Sequence, residues 1–244
     1  DAPNRSLKHL ERLLQTRADV TEVVIHGGVY HGSLVIPSPK DAYPEKMKPL
    51  LVRAVEGEEV IIDGSQPLTA EDNPQPLEGA PGVYVVHNPE KFRTRTDRNQ
   101  GKYPRVWDRK KRKRYLLAAD LGAVKRFPVT FTFTEDALYL HTEDNRPPSE
   151  HQIEISIVSA VGDHGVFIYR PNTIVRGIRA RSFFKNPIYS SGIAAYGSGS
   201  VIEDCFVTNC PRGFVIARED ITIRRCRAED VGGGVRCSKE RPLI

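Results

Sequence analysis

Methionine and tryptophan each occur once in the 244 residues, and cysteine only four times. The cysteines lie at 205, 210, 226 and 237 and form no CxxC pair, which argues against a zinc site. No apolar run approaches the ~18 residues that a membrane-spanning helix needs, so no span is expected. No hydrophobic targeting segment opens the sequence, so a secretion signal is either absent or already removed. Gly-rich phosphate loops and a nucleophile elbow are missing as well, which removes the commonest nucleotide and serine-hydrolase signatures. Beyond the first sixteen residues the strand-rich segments carry no helical period.

What is present is a repeat. Gly-apolar-x-apolar recurs at Gly165-Val166-Phe167-Ile168, Gly192-Ile193-Ala194-Ala195, Gly213-Phe214-Val215-Ile216 and Gly234-Val235-Arg236-Cys237, in steps of 27, 21 and 21 residues. Such a period, filled by short alternating strands, predicts a parallel β-helix. One turn of a solenoid cannot bury its apolar face alone, so neighbouring turns must stack. At the other end, SLKHLERLLQ (6–15) places Leu7, Leu10, Leu13 and Leu14 on one helical face behind a Ser able to cap the first turn. That helix is expected to cover the end of the solenoid. TEVVIHGGVYHGSLVI (21–36) and PLLVRAVEGEEVIIDG (49–64) follow as strands punctuated by Gly turns.

The elements Gly28-Val29-Tyr30, Arg53-Ala54-Val55-Glu56-Gly57 and Ile62-Asp63-Gly64 give the opening third its character. Together with the later repeats, they make the chain resemble the pectate-lyase-like right-handed β-helix superfamily over about its first 65 and last 80 residues. The resemblance implies the fold and a carbohydrate-active protein outside the cytoplasm: secreted, periplasmic or at the cell surface. It does not select an activity, because that superfamily includes lyases, hydrolases, epimerases and proteins without known catalysis.

Residues 66–160 break the period. The stretch 66–81 is rich in Pro, Asp, Glu and Gln and reads as a loop. GVYVVHN (82–88), PRVWD (104–108), RYLLAAD (114–120), VTFTFTEDALYLHT (129–142) and HQIEISI (151–157) read as strands, with a hairpin turn at Glu135-Asp136. The expected architecture is therefore all-β: a right-handed parallel β-helix with an N-terminal capping helix (1–65), an inserted antiparallel β subdomain (66–160) and further turns (161–244).

Aligning the late turns puts Val175, Ile202 and Ile223 in one column. Ile178, Cys205 and Cys226 share a second, and Ala180, Val207 and Ala228 a third; all nine should face the core. Cys205 and Cys226, one turn apart, read as stacked interior residues, with an inter-turn disulfide as the alternative, since strand spacing lies within disulfide reach. Arg176, Glu203 and Arg224 form an outward column of alternating charge. Ser182, Asn209 and Asp230 stack at a turn.

In the Gly-led strands Val166 and Ile168, and their equivalents, should face inward. Phe167, Ala194, Val215 and Arg236 then form one outward column, and Tyr169, Tyr196, Ala217 and Ser238 the next. Arg170, Gly197, Arg218 and Lys239 follow. Tyrosine faces beside basic groups suit a sugar chain, more so an acidic one, because Arg pairs two oxygens of a carboxylate or sulfate. Tyr169, Tyr196 and Arg170 are the candidate binding residues. In the lyases that this chain resembles, a Lys or Arg often takes the uronate proton, and calcium or basic groups neutralise the carboxylate. That makes Arg218, Arg236 and Lys239 the candidate catalytic region, with the cofactor open and calcium among its candidates. The structural alternative packs the aromatic residues against the inserted subdomain and leaves the basic ones to solvate the rim.

Hydrolysis would need two carboxylates flanking the bond. Glu203-Asp204, Glu219-Asp220 and Glu229-Asp230 are acidic pairs, yet neighbours on a strand face opposite sides and the register sets Asp204 beside Arg225. A calcium site from these acids lacks convergence for the same reason. Asp163-His164, at the loop entering the first late turn, could supply a general base or be a solvated pair. His26 and His31 flank a Gly-Gly turn and serve its packing. Arg109–Arg114 (RKKRKR), preceded by Arg93, Arg95, Arg98, Lys102 and Arg105, reads as a solvated hairpin tip, a patch for an acidic polymer or a nuclear signal. No nucleic-acid motif accompanies it. A noncatalytic solenoid that binds glycan or supports an assembly is the rival function. SKERPLI (238–244) is too short for another turn, so further turns beyond Ile244 are expected.

Overall fold

Three five-stranded parallel sheets run through a computed structural model of the chain, which describes residues 6–39, 47–87, 105–134, 136–156, 164–184, 190–218 and 220–237. The first sheet pairs Glu22–Ile25, Leu50–Ala54, Thr173–Arg176, Val201–Glu203 and Thr222–Arg224 in that order. The second pairs Gly28–His31, Val60–Asp63, Ile178–Arg181, Phe206–Cys210 and Arg227–Val231. The third pairs Leu34–Ile36, His164–Ile168, Ser191–Ala195, Arg212–Ile216 and Val235–Cys237. Successive strands of one turn visit successive sheets, which is a parallel β-helix. Two compact units divide the chain, residues Asp1–Gly64 with Ser159–Ile244, and Ser65–Val158.

The solenoid interior is apolar by column. Val175 pairs with Ile202 and Ile202 with Ile223, while Ala180 pairs with Val207 and Val207 with Ala228. Val175, Ile178, Ala180, Ile202, Cys205 and Val207 are buried in one cluster, against which Ile223, Cys226 and Ala228 pack. Helix α1 (Leu7–Thr16) buries Leu14 there and rests Leu7, Leu10 and Leu13 on the same cluster. Ser6 occupies the cap position, but its side chain makes no capping hydrogen bond, contrary to expectation. All four cysteines are free thiols.

Single left-handed residues turn the chain between sheets. Gly177, Asp204 and Arg225 (φ 72°, 53° and 52°) stand between the first and second sheets one turn apart; Ser182 (φ 63°) follows its second-sheet strand, and Asn209 and Asp230 (φ 51° each) are the penultimate residues of theirs. Asn209 Nδ2 donates to Ser182 Oγ at 3.2 Å, the polar stacking that short side chains allow at such corners.

Glycine has a different task at the start of the third sheet. A Cβ on Gly165 would sit 2.5 Å from Phe183 and 2.7 Å from the Gly192 carbonyl, one on Gly192 would run into Val207, and one on Gly213 would meet the Gly234 carbonyl at 2.5 Å. These glycines face the interior, and so do the residues that follow them, Val166, Ile193 and Phe214. Pairing skips the glycines accordingly: His164 pairs with Ser191 and Ser191 with Arg212, then Val166 with Ile193 and Ile193 with Phe214. Two successive inward residues shift the alternation, as a bulge does, and turn His164 to the outer face.

On the outer face of the first sheet, Arg53, Arg176, Glu203 and Arg224 are in register. Glu203 is fully buried beneath guanidinium groups: Arg176 Nε at 2.5 Å, Arg224 Nε at 2.6 Å and Arg225 Nη2 at 3.1 Å. Burial pushes its carboxyl up, and the bonds from Arg176 and Arg224 outweigh that and hold it below the ordinary value. Arg225 also grips Asp204, at 2.6 Å, as the register required. On the second sheet Phe206 lies between Arg179 and Arg227, whose guanidinium carbons stand 5.6 and 5.9 Å from its ring.

The second unit is built on antiparallel pairing. Thr130–Phe133 and Ala137–His141 form a hairpin closed by Thr134 N–H donating to the Ala137 carbonyl at 2.8 Å, and Val83–His87 lies along its far side. Two expectations fail here. The 66–81 segment contains strands Ser65–Pro67 and Gln75–Pro76 around a short 3-10 turn, because it pairs with Ile153–Ser156 and with Val83–His87. RYLLAAD is not one strand: Leu116–Leu117 pairs briefly with Thr130–Phe133, then Asp120 caps helix α2 (Leu121–Arg126) through the Ala123 N–H. The basic run is a hairpin end, with Val106–Asp108 antiparallel to Lys113–Arg114. It is partly neutralised, Arg109 by Glu154, Lys111 by Asp144 and Lys113 by Glu143. Beneath it the buried His151 ring meets Asp108 at 2.6 Å and Asp144 at 3.0 Å, both nitrogens engaged. Resumption of the solenoid near Ile157 lies outside the described residues.

Substituting Gly192→Ala should destabilise the protein by about 1–3 kcal/mol, the usual cost of overpacking a filled core, read by urea unfolding followed by circular dichroism. An unchanged midpoint would show that the glycine column is not a steric requirement. Glu203 titrates below its ordinary value of 4.5 in the folded state, so it binds protons more weakly folded than unfolded. Its contribution is full above the unfolded value and is lost as pH falls through the folded one. Glu203→Gln should therefore flatten the loss of stability on acidification below about pH 5, measured as midpoint against pH; parallel curves for the two proteins would contradict this.

Candidate functional site

The outer face of the third sheet carries the candidate binding surface. Val35, Phe167, Ala194, Val215 and Arg236 occupy one cross-strand column. Tyr169, Tyr196 and Ala217 begin the turns that follow, their N–H groups donating to the Ile36, Ile168 and Ala195 carbonyls at 2.9, 2.7 and 3.0 Å. The aromatic rings gather. Tyr169 and Tyr196 stack with centroids 5.3 Å apart and planes 21° from parallel, and Phe167 stacks on Tyr169 at 5.5 Å and 11°. His164 closes the cluster edge-on to Phe167 at 4.5 Å.

His164 is held from two sides. Its Nδ1 lies 2.7 Å from Ser191 Oγ, and its Nε2 lies 3.3 Å from Tyr196 Oη. It is therefore neither in a loop nor solvated: it is the first residue of its strand and buried, because the inward Gly165 turns it against Phe167. Asp163 lies outside the described residues. The link between His164, Ser191 and Tyr196 was not visible in the sequence. Alternation counted through the glycines assigns His164 to the wrong side.

Three further expectations need correcting. Phe167, Ala194 and Val215 do point away from the interior cluster, yet they are 5%, 0% and 5% exposed. Among the aromatic cluster only Tyr169, at 45%, is open, and burial of the rest of its ring pushes its phenol above the ordinary value. Arg170 is not on the surface. The strand ends at Ile168, and Tyr169 and Arg170 both donate to the Ile36 carbonyl, so alternation no longer applies. The Arg170 side chain is fully buried, and its Nη2 reaches the carbonyls of Ala18, Val20 and Lys48 at 2.9, 3.0 and 2.9 Å. It ties the segment behind α1 to the start of the first sheet, and desolvation lowers its pKa.

Arg218 and Arg236 are exposed, and neither has an ion-pair partner among the described residues. In contrast, Arg53, Arg176, Arg179, Arg181, Arg224, Arg225 and Arg227 are all committed to acids. Lys239 and Ser238 lie outside the described residues. Arg236 is two strands beyond Ala194 in the same column, about 10 Å along the sheet at ordinary strand spacing. No group of three or more His, Cys, Asp or Glu converges to hold a metal ion among the described residues. No helix there is long and apolar enough to cross a membrane. His26 stands at its turn 3.4 Å from Glu58.

No protein family and no curated protein matches the chain. A solved structure described as XylC in complex with xylose is similar to it, with a TM-score of 0.60 at 11% identity, over 88% of this chain and 50% of the other. The chain spans half the length of that protein, and at this identity the likeness shows the shared fold.

Proposed function

We propose that the outer face of the third sheet binds an acidic polysaccharide, lying across the Tyr169–Tyr196 pair with its charged groups toward Arg218 and Arg236. The observation that carries this is the tyrosine pair itself, stacked and open at Tyr169 on a sheet face. An aromatic face covers the C–H surface of a pyranose ring, and a phenol at its edge can bond hydroxyl groups. Arginines without an ion pair among the described residues supply the pairing for carboxylates or sulfates. Likeness to a fold solved with a bound sugar supports a carbohydrate-related role at the level of the fold.

Cleavage by β-elimination is the catalytic form of the same proposal. A base takes the proton on C5 of a uronate, the electron pair forms the C4–C5 double bond, and the C4–oxygen bond breaks with its electrons leaving on the oxygen, which takes up a proton. In this form Arg218 and Arg236 hold the carboxylate or act at C5, with Lys239 beside them in sequence; their exposure supports the assignment. The noncatalytic form keeps the same surface and only retains the chain. Both predict extracellular or surface location, since that is where such polymers are found.

Affinity electrophoresis through gels containing uronate or sulfated polysaccharides tests the surface. Tyr169→Ala should weaken retention roughly tenfold, as expected for losing about 1.4 kcal/mol of stacking. Arg218→Ala with Arg236→Ala should remove most of the salt-sensitive part of binding. Unchanged retention in both variants would place the sugar elsewhere. Incubating the same polymers and following the absorbance of unsaturated products and reducing ends separates the forms: neither signal, with binding retained, leaves the noncatalytic one.

A further inference from the structure

Cys205 and Cys226 occupy equivalent positions on adjacent turns. Their neighbours are in register on both sides, Glu203 with Arg224 and Phe206 with Arg227, and Arg227 N–H donates to the Cys205 carbonyl at 3.0 Å. The two side chains repeat one arrangement. Cys205 Sγ lies 3.2 Å from the Glu203 carbonyl and 3.7 Å from that of Val175; Cys226 Sγ lies 3.3 Å from the Arg224 carbonyl and 3.5 Å from that of Ile202. The two thiols are therefore stacked on adjacent turns, one strand spacing apart along the helix axis. Strand spacing, about 4.8 Å, falls inside the Cα separation that a disulfide accepts.

The pair is asymmetric. Cys205 is buried in the core cluster, whereas Cys226 is only partly covered. The neighbouring Cys205 thiol lowers the Cys226 pKa, and the same pairing together with burial raises that of Cys205. A partly exposed thiol with a lowered pKa, and a buried thiol at the equivalent position one turn behind it, is the arrangement of a reactive cysteine and its resolving partner. Cys210 offers no such partner, and burial pushes its thiol up to about 12.

We propose that Cys205 and Cys226 form a dithiol redox site that peroxides convert to an inter-turn disulfide. Cys226 as thiolate attacks one peroxide oxygen and breaks the O–O bond, giving a sulfenic acid and, after protonation of the leaving oxygen, water or an alcohol. The Cys205 sulfur then attacks the sulfenyl sulfur, and its proton leaves with the departing hydroxide as water. Two thiols are oxidised by two electrons and the peroxide is reduced by two. An exogenous thiol restores the pair by exchange.

Hydrogen peroxide is the probe, applied to the Cys237→Ser chain so that the exposed thiol takes no part. Alkylation and peptide mass spectrometry should then find one disulfide joining Cys205 to Cys226, lost on treatment with dithiothreitol. In the further variant Cys205→Ser, dimedone should label a sulfenic acid at Cys226. A disulfide involving Cys210, or both thiols still alkylated after peroxide, would overturn the proposal. The first measurement needs no substitution in the pair, so it decides the matter even where Cys205→Ser fails to fold.

Discussion

Three glycines without room for a Cβ set the geometry on which the rest of the solenoid depends. At 165, 192 and 213 the chain enters the third sheet so close to Phe183, Val207 and Ala228 and to the neighbouring backbone that a side chain has no place. Two consecutive residues then face inward, and the alternation beyond them is displaced. Val166, Ile193 and Phe214 close the interior, while His164 and Ser191 turn outward beside Phe167. A packing constraint inside the helix thus determines which side chains meet on its outer face.

Charge is distributed by the same logic. The first sheet spends its arginines on Glu203, whose burial is tolerable only because three guanidinium groups surround it. Arg170 is drawn inside to satisfy three carbonyls between α1 and the first sheet. The basic run of the second unit is answered by Glu143, Asp144 and Glu154. In the turns of the third sheet, Arg218 and Arg236 are exposed and carry no ion pair among the described residues.

Much of this was legible in the sequence. The parallel columns, the capping helix and the pairing of Asp204 with Arg225 follow from a period that fixes neighbours one turn apart. The tyrosine pair was legible for the same reason. Arg170 was not, because alternation predicts a side chain's direction only while the strand lasts, and this strand stops two residues earlier. His164 escaped because an inward glycine looks like any turn glycine in a sequence. Helix α2 was lost among the strand-like residues of RYLLAAD; its Asp120 cap was the available signal.

The central claim, that the outer face of the third sheet binds sugar at its tyrosine pair, is tested most directly by NMR of protein with labelled tyrosine rings, titrated with acidic oligosaccharides. Nine tyrosines report on the whole molecule at once. The account predicts that the Tyr169 and Tyr196 ring signals shift together and saturate at one concentration while the others stay in place. Shifts confined to other tyrosines, or none at either ring with any uronate or sulfated oligosaccharide, would contradict it.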